Sequence, residues 1–354
     1  MQPSLSFRSG MAFASLLGLS VWANQSHARP TFITVDPPDA YHEYGSGTWA
    51  LTVNKEGQVA GQFTAALQDH WQGFLRNTDG SYVEFEPPGA WDTDVAAITN
   101  SGDVAGTYST AYNWTHQHGY LRAADGTFTT FDVPGATGDT VATDMNEKGA
   151  IVGWSYGRTG QSGFLRKPGG SFVAISPPGA IQSGVYSIGD SGQMAGVFED
   201  QSQVFHGFVR GTDGSFAAFD PPSQDFWLPV SCIDAAGNVY GSYSDGVNEH
   251  GFMRKANGSV VQLDPPNSLT AEVFSANSQG VVVGRSSNWT GGFVYRPNGR
   301  FRKVGSLPDW SAIYPRGISP GGNYITGLYM DPNGAWHGYL RWKQRATRSP
   351  RKPD

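Results

Sequence analysis

The chain has 354 residues, with 47 glycines, 22 prolines, 11 tryptophans, 15% charged residues and a net charge of −6 at pH 7. That load of helix breakers excludes a helical bundle or coiled coil, and an aromatic content of 13% excludes a disordered chain. A single cysteine, Cys232, excludes a disulfide scaffold and any multi-cysteine zinc or iron–sulfur site, which leaves a turn-rich β protein.

Residues 1–28 read as an export signal. Arg8 supplies the positive start, and Met11 to Ala23 is apolar but too short to span a bilayer. Ser26 and Ala28 offer the small residues of a cleavage site, with Ala23 as a rival. No second apolar stretch follows, so the expectation is a secreted, extracellular or periplasmic, protein without a transmembrane segment.

From residue 73 onward the string Gly-aromatic-apolar-Arg recurs. It stands at Gly73-Phe74-Leu75-Arg76, Gly119-Tyr120-Leu121-Arg122, Gly163-Phe164-Leu165-Arg166, Gly207-Phe208-Val209-Arg210 and Gly251-Phe252-Met253-Arg254. A degraded copy begins at Gly292 and a seventh at Gly338, and the leading glycines are 46, 44, 44, 44, 41 and 46 residues apart. Proline corners keep the same beat at Pro37-Pro38, Pro87-Pro88, Pro134, Pro177-Pro178, Pro221-Pro222, Pro265-Pro266 and Pro308. A fixed period of this size marks a repeat architecture.

The second copy shows the unit. Val95 to Ile98 is strand A, the turn through Gly102 leads to strand B (103–108), and 109–117 form a longer loop. Strand C covers 118–123, Asp125-Gly126 suits a type I′ hairpin, and strand D runs over 127–132 until Pro134 ends it. Four strands in about 40–50 residues, seven times over, predict an all-β fold, a seven-bladed β-propeller of four-stranded blades.

The seventh copy runs out after its strand C near Arg341-Trp342, whereas Thr31 to Asp36 is a strand D with nothing before it. Joining them completes the last blade and removes the exposed sheet edges, so the ring is expected to close through its N-terminal strand. The propeller then spans 29–342, with 343–354 left as a basic disordered tail.

A second pattern agrees with this join. The residue before the Gly-aromatic pair and the last residue of strand D vary together, always 14 positions apart. The pairs are Gln72/Glu86, His118/Asp132, Ser162/Ser176, His206/Asp220, His250/Asp264 and Gly291/Gly305. His337 has no aspartate downstream, so its partner across the closure is Asp36. Because the His/Asp pairs recur around the ring, they read as structural bonds between strands C and D rather than as one catalytic constellation.

The strings His118-Gly119-Tyr120-Leu121-Arg122, Phe131-Asp132 and Pro134-Gly135-Ala136, with the Gly-x-Val-x-Gly of strand B, resemble the bacterial extracellular HAF-repeat family. The resemblance covers about 31–342 and is weakest in the sixth copy, where Gly291 replaces the histidine. It implies location and a repeat architecture, and no chemistry.

Catalytic and metal motifs are poor. His116 and His118 share a strand face but lack a third ligand, and no phosphate loop, calcium loop or nucleophile elbow occurs, so neither metal nor cofactor is expected. Lys343, Arg345, Arg348, Arg351 and Lys352 place cations in the tail and leave the body more acidic than the whole, which argues against nucleic acid.

The variable D–A and B–C loops are where binding is expected. Aromatic and polar side chains gather there, among them Trp91, Asp92, Asp94, Asn113, Trp114, Asp225, Trp227, Asn288, Trp289 and Trp310. Tyr41, Tyr44, Trp49, Trp71, Tyr112 and Trp336 also fall in these loops. Flat aromatics beside amides and carboxylates suit sugar faces and hydroxyls. Three functions follow. The first is a non-enzymatic module, expected to be monomeric, that binds a glycan or envelope polymer. The second is an adhesion or protein-interaction platform. The third is a polysaccharide lyase or hydrolase using Asp92, Asp94, Asp225 or Asp309.

Overall fold

The computed structural model describes residues 30–65, 70–222, 230–305 and 312–343. The proposed signal 1–28 and the tail beyond 343 lie outside them, as do Asp225, Trp227, Asp309 and Trp310. Among the described residues the chain forms seven antiparallel sheets of four strands, a β-propeller. Six sheets run in chain order from strand A to strand D. In the seventh, the N-terminal strand Pro30–Val35 is added to Trp336–Lys343, pairing from Pro30↔Lys343 to Val35↔Gly338.

The recurring string explains the core. The aromatic after each leading glycine is buried between blades: Phe74, Tyr120, Phe208, Phe252, Phe293 and Tyr339 have no exposed surface. Burying such a ring stabilises by about 1.5–3 kcal/mol, and the ring of blades repeats the gain. In blades 2, 3 and 5 the arginine two residues on lies against the preceding blade. The Arg122 guanidinium sits 5.1 Å from the Phe85 ring centre and that of Arg166 4.9 Å from Phe131. The A–B turns tie neighbours together as well: Asn54 Nδ2 donates to the Thr99 carbonyl, and Asn146 Nδ2 to that of Gly189.

Every innermost strand A carries a register shift at the same place, for instance between Ala50 and Thr52 and between Val95 and Ala97. Just before it, an A-strand carbonyl is pressed onto a strand-B glycine. A Cβ on Gly61 would stand 2.0 Å from the Trp49 oxygen, and one on Gly106 2.0 Å from the Asp94 oxygen. The same contact joins Gly153 to Val141, Gly196 to Gly184, Gly284 to Glu272 and Gly327 to Tyr314. Only glycine permits this approach, and it fixes equivalent positions on these six A strands.

Blade 2 differs in one respect from the sequence reading. Strand A begins at Asp92, strand B runs to Ala111, and strand C starts at Thr115. The expected long loop is therefore a tight 3-10 turn, Tyr112–Trp114, between lengthened strands. Trp49, Trp71 and Trp336, read as loop residues, likewise lie within strands.

Candidate functional site

Strands of blades 1 and 2, with strand A of blade 3, border an open cavity of about 330 Å³ on the face of the D–A and B–C loops. Its walls are Trp49, Gln62, Trp71, Asp94, Thr107, Trp114, Gln117 and Val141. Trp49 and Trp71 stand with ring centres 5.0 Å apart and planes at 55°, forming one corner. Trp71 is anchored to the next blade, its N–H donating to Asp92 Oδ1 at 2.9 Å. Asp92 is thus a buried link between blades.

Trp114 comes from the 3-10 turn and holds a left-handed backbone, φ 56°, with His116 at φ 58°. Such a conformation costs a non-glycine residue about 1–3 kcal/mol and persists only where surroundings enforce it. Gln117 does so: its Nε2 donates to the Trp114 carbonyl at 2.8 Å, while its own N–H donates to Asp139 Oδ1. Trp114 is therefore held at the cavity by Gln117, itself tied to blade 3 through Asp139.

Two buried polar atoms of the walls have no partner, Trp49 Nε1 and Gln62 Oε1. One is a donor without acceptor and the other an acceptor without donor. Leaving such groups unmade costs about 1–3 kcal/mol each. Burial pushes the Asp94 carboxyl up to about 6, opposed by the Val95 N–H. It is the one carboxyl among the described lining residues.

Of the remaining sequence candidates, Trp91 is on the outer rim and 42% exposed, edge-on to Tyr112 at 6.4 Å. Asn113 belongs to the 3-10 turn, and Asn288 is exposed before strand C of blade 6, which Trp289 begins. The blade 6 pair is thus not brought to the blade 1–2 cavity. Gln62, Thr107, Gln117 and Val141 were not singled out by sequence.

Two further clusters emerge. At the ring position of Asp94, blade 6 places Glu272, whose carboxylate accepts from Arg285 Nε at 2.7 Å. A hydrogen bond to Glu272, burial and its charge hold the neighbouring Glu249 carboxyl above the ordinary range. Arg285 lies 5.3 Å over the Tyr314 ring of blade 7. Lower in the channel, all seven A strands line a cavity of about 350 Å³. Burial there pushes Asp144 up to about 6, although Ile188 N–H, Ser187 Oγ and Met145 N–H donate to it.

The repeated pairs form hydrogen bonds from ring Nδ1 to carboxylate. The separations are 2.8 Å for His118/Asp132, 2.6 Å for His206/Asp220, 2.7 Å for His250/Asp264 and 2.7 Å for His337/Asp36. In blade 1 the partner of Glu86 is His70, at 2.8 Å.

No protein-family model matches the chain, and no curated protein matches it. Solved structures do. A catalytically inactive virginiamycin B lyase from Staphylococcus aureus with quinupristin aligns at TM-score 0.58 and 14% identity, covering 88% of this chain and 99% of that one. A streptogramin B lyase aligns at TM-score 0.55 and 13% identity, covering 88% and 98%. A puromycin hydrolase mutant complexed with PGG gives TM-score 0.59 and 12% identity over 90% of this chain and 58% of that one. At these identities the likeness is one of fold, and fold does not fix function. Among the described residues no helix is long and apolar enough to cross a membrane.

Proposed function

We propose that the chain is an exported, non-enzymatic carbohydrate-binding propeller of the HAF-repeat type, and that its site is the tryptophan-walled cavity between blades 1 and 2. One observation carries the reading: Trp49, Trp71 and Trp114 wall one cavity together with Gln62, Gln117 and Asp94. A pyranose suits such walls. Its hydroxyls hydrogen-bond to amides and a carboxylate, and its C–H faces cover the indoles. Asp94, ionised above pH about 6, accepts from further hydroxyls. No lysine, arginine or histidine stands among the described lining residues, so a neutral sugar fits better than a uronate or sulfated one. HAF-repeat membership and export rest on the repeat motifs and on residues 1–28.

The test is a glycan array followed by calorimetry on residues 29–354. Trp71→Ala and Trp114→Ala should each weaken binding at least tenfold while the melting transition is kept. Indifference of the array, or binding untouched by both substitutions, refutes the site.

A second reading has its own observation. The Glu249 carboxyl, pushed up to about 7 chiefly by its hydrogen bond to Glu272, stands with Glu272 beside Arg285, an arrangement of two carboxyls suited to acid–base catalysis on a polysaccharide. Release of reducing ends or unsaturated products, abolished by Glu249→Gln, would favour a hydrolase or lyase.

A further inference from the structure

Among the described residues, the closure blade contains a group that the other blades lack. In blades 4 and 5 the histidine of strand C is strung between two carboxylates on opposite ring nitrogens. His206 has Asp220 at Nδ1 and Asp200 at Nε2, and His250 has Asp264 and Asp245. In blade 7, His337 repeats this with Asp36 at 2.7 Å from Nδ1 and Asp331 at 3.8 Å from Nε2. Here the D–A loop adds His42. Its Nε2 stands 3.3 Å from the same Asp36 Oδ2, and its ring stacks on His337 at 4.4 Å with planes 11° apart. Two imidazoles and one carboxylate thus converge, their ligand atoms all within 4.8 Å of one another.

His42 is loosely held. Its buried Nε2 pairs with Asp36 Oδ2 at 3.3 Å without the alignment of a good hydrogen bond. That contact is directed at the oxygen that His337 already uses. The ligand atoms of a tetrahedral zinc ion stand about 3.3–3.5 Å apart, given bonds of about 2.0–2.2 Å. The His42–Asp36 separation already matches, the His337–Asp36 contact needs to open by less than about 1 Å, and one ring must turn out of the 11° stack so that both lone pairs meet the ion.

The surroundings fit as well. Metal-bound histidines usually donate their other ring nitrogen to a carboxylate, and ligating carboxylates are themselves held by hydrogen bonds. Asp331 is placed at the far nitrogen of His337, and the Gly338 N–H donates to Asp36 Oδ1 at 3.2 Å. We propose that Asp36, His42 and His337 form a binding site for a divalent transition-metal ion of the zinc type, which clasps the N-terminal strand into the last blade. Three protein ligands leave a fourth position for water, and a nitrogen–oxygen set suits zinc, cobalt or nickel. Since Asp36 and His42 belong to the N-terminal segment and His337 to the far end of the chain, the ion binds the closed ring and not the open one. Its binding energy is therefore added to folding.

The experiment uses tag-free residues 29–354, stripped with chelator. Titration with zinc chloride by calorimetry should show one equivalent bound, with a rise of several degrees in melting temperature, and cobalt should give the visible absorption of a low-coordinate site. His42→Ala leaves the Asp36–His337 bond in place, as in blade 2, and should lose the response at least tenfold in affinity. Asp331→Asn should weaken it less, and His206→Ala should leave it unchanged. Absence of zinc binding, or a response that survives His42→Ala, overturns the proposal. Should His42→Ala fail to fold, His42→Gln must show the same loss.

Discussion

Trp49 and Asp94 occupy the same place in successive blades. Each precedes the A-strand register shift, each presses its carbonyl onto a strand-B glycine, and each lends its side chain to one cavity. The propeller repeats a backbone position while the side chain varies: Trp49, Asp94, Val141, Gly184, Glu272 and Tyr314. Function on such a ring is written by the residues that depart from the repeat.

The glycine contact itself is testable. A methyl at Gly106 would meet the Asp94 oxygen at 2.0 Å and the Tyr120 ring at 2.9 Å. Gly106→Ala should therefore destabilise by about 2–4 kcal/mol in urea unfolding and disturb sugar binding through Asp94. Gly135 gives the contrast, with φ +86° and no atom within 4 Å, so Gly135→Ala should cost only about 1 kcal/mol. Equal costs would show that close approach is not what selects Gly106.

Asp94 should be unfavourable to stability at neutral pH. Its folded pKa, about 6, lies above the ordinary value of 3.8 because burial disfavours the charge. Between these values the unfolded chain has released a proton that the folded one retains, so stability falls as pH rises from about 4 to 6. Asp94→Asn removes this and should raise stability at pH 8 by about 1–2 kcal/mol, allowing for partial solvent access, with little change at pH 3.5. Unfolding curves at both pH values decide it. A gain of the same size at pH 3.5 would mean that the substitution acts through packing rather than charge.

The blades and their closure were legible because the repeat exposes them. Glycine, aromatic and arginine recur where strand C packs, and Thr31 to Asp36 is a strand D without its blade. The loop-side ends of the strands were not legible. Polar side chains at Asp92, Asp94 and Gln117 hide the alternation there, so strands read as ending early. The cavity was half visible: its tryptophans and Asp94 stood out by type, whereas Gln62 looks like any strand-B residue until the blades are assembled. A usable signal did exist. Trp49, Asp94, Val141, Gly184 and Glu272 each stand twelve residues before a strand-B glycine, so the ring of variable positions could be read by counting. His42 carried no signal, because only folding brings it to His337, 295 residues away.

The histidine bridges predict a second pH effect, of opposite origin. Burial alone would lower the pKa of His250, but its hydrogen bonds to Asp264 and Asp245, and their charges, outweigh this and raise it. A histidine whose folded pKa exceeds its unfolded value stabilises fully below the unfolded value of about 6.5, and the benefit is lost as pH rises through the folded pKa. His250→Gln should therefore lower the melting temperature at pH 5.5 more than at pH 8.5. A loss independent of pH would assign His250 to packing alone, against Tyr243 at 5.4 Å.

Closure carries the last prediction. Strand Pro30–Val35 pairs along its whole length with Trp336–Lys343, and its Val35 is fully buried beside Ala50 and Leu340. Removing residues 30–36 would strip one strand from blade 7 and leave Gly338 to Lys343 as an exposed sheet edge, still paired on its other side with Tyr324–Met330. It would also uncover Tyr339, against which Phe32 packs at 5.8 Å. An open edge loses ladder hydrogen bonds and recruits other chains, so the truncated protein should melt at least about 10 °C lower and self-associate. A synthetic peptide of residues 29–38, supplied in excess, should restore part of the loss by binding the vacant edge. Comparison of melting curves and sedimentation with and without the peptide checks this. A truncated chain that melts like the intact one would mean that six blades and a three-stranded seventh hold the ring without the N-terminal strand.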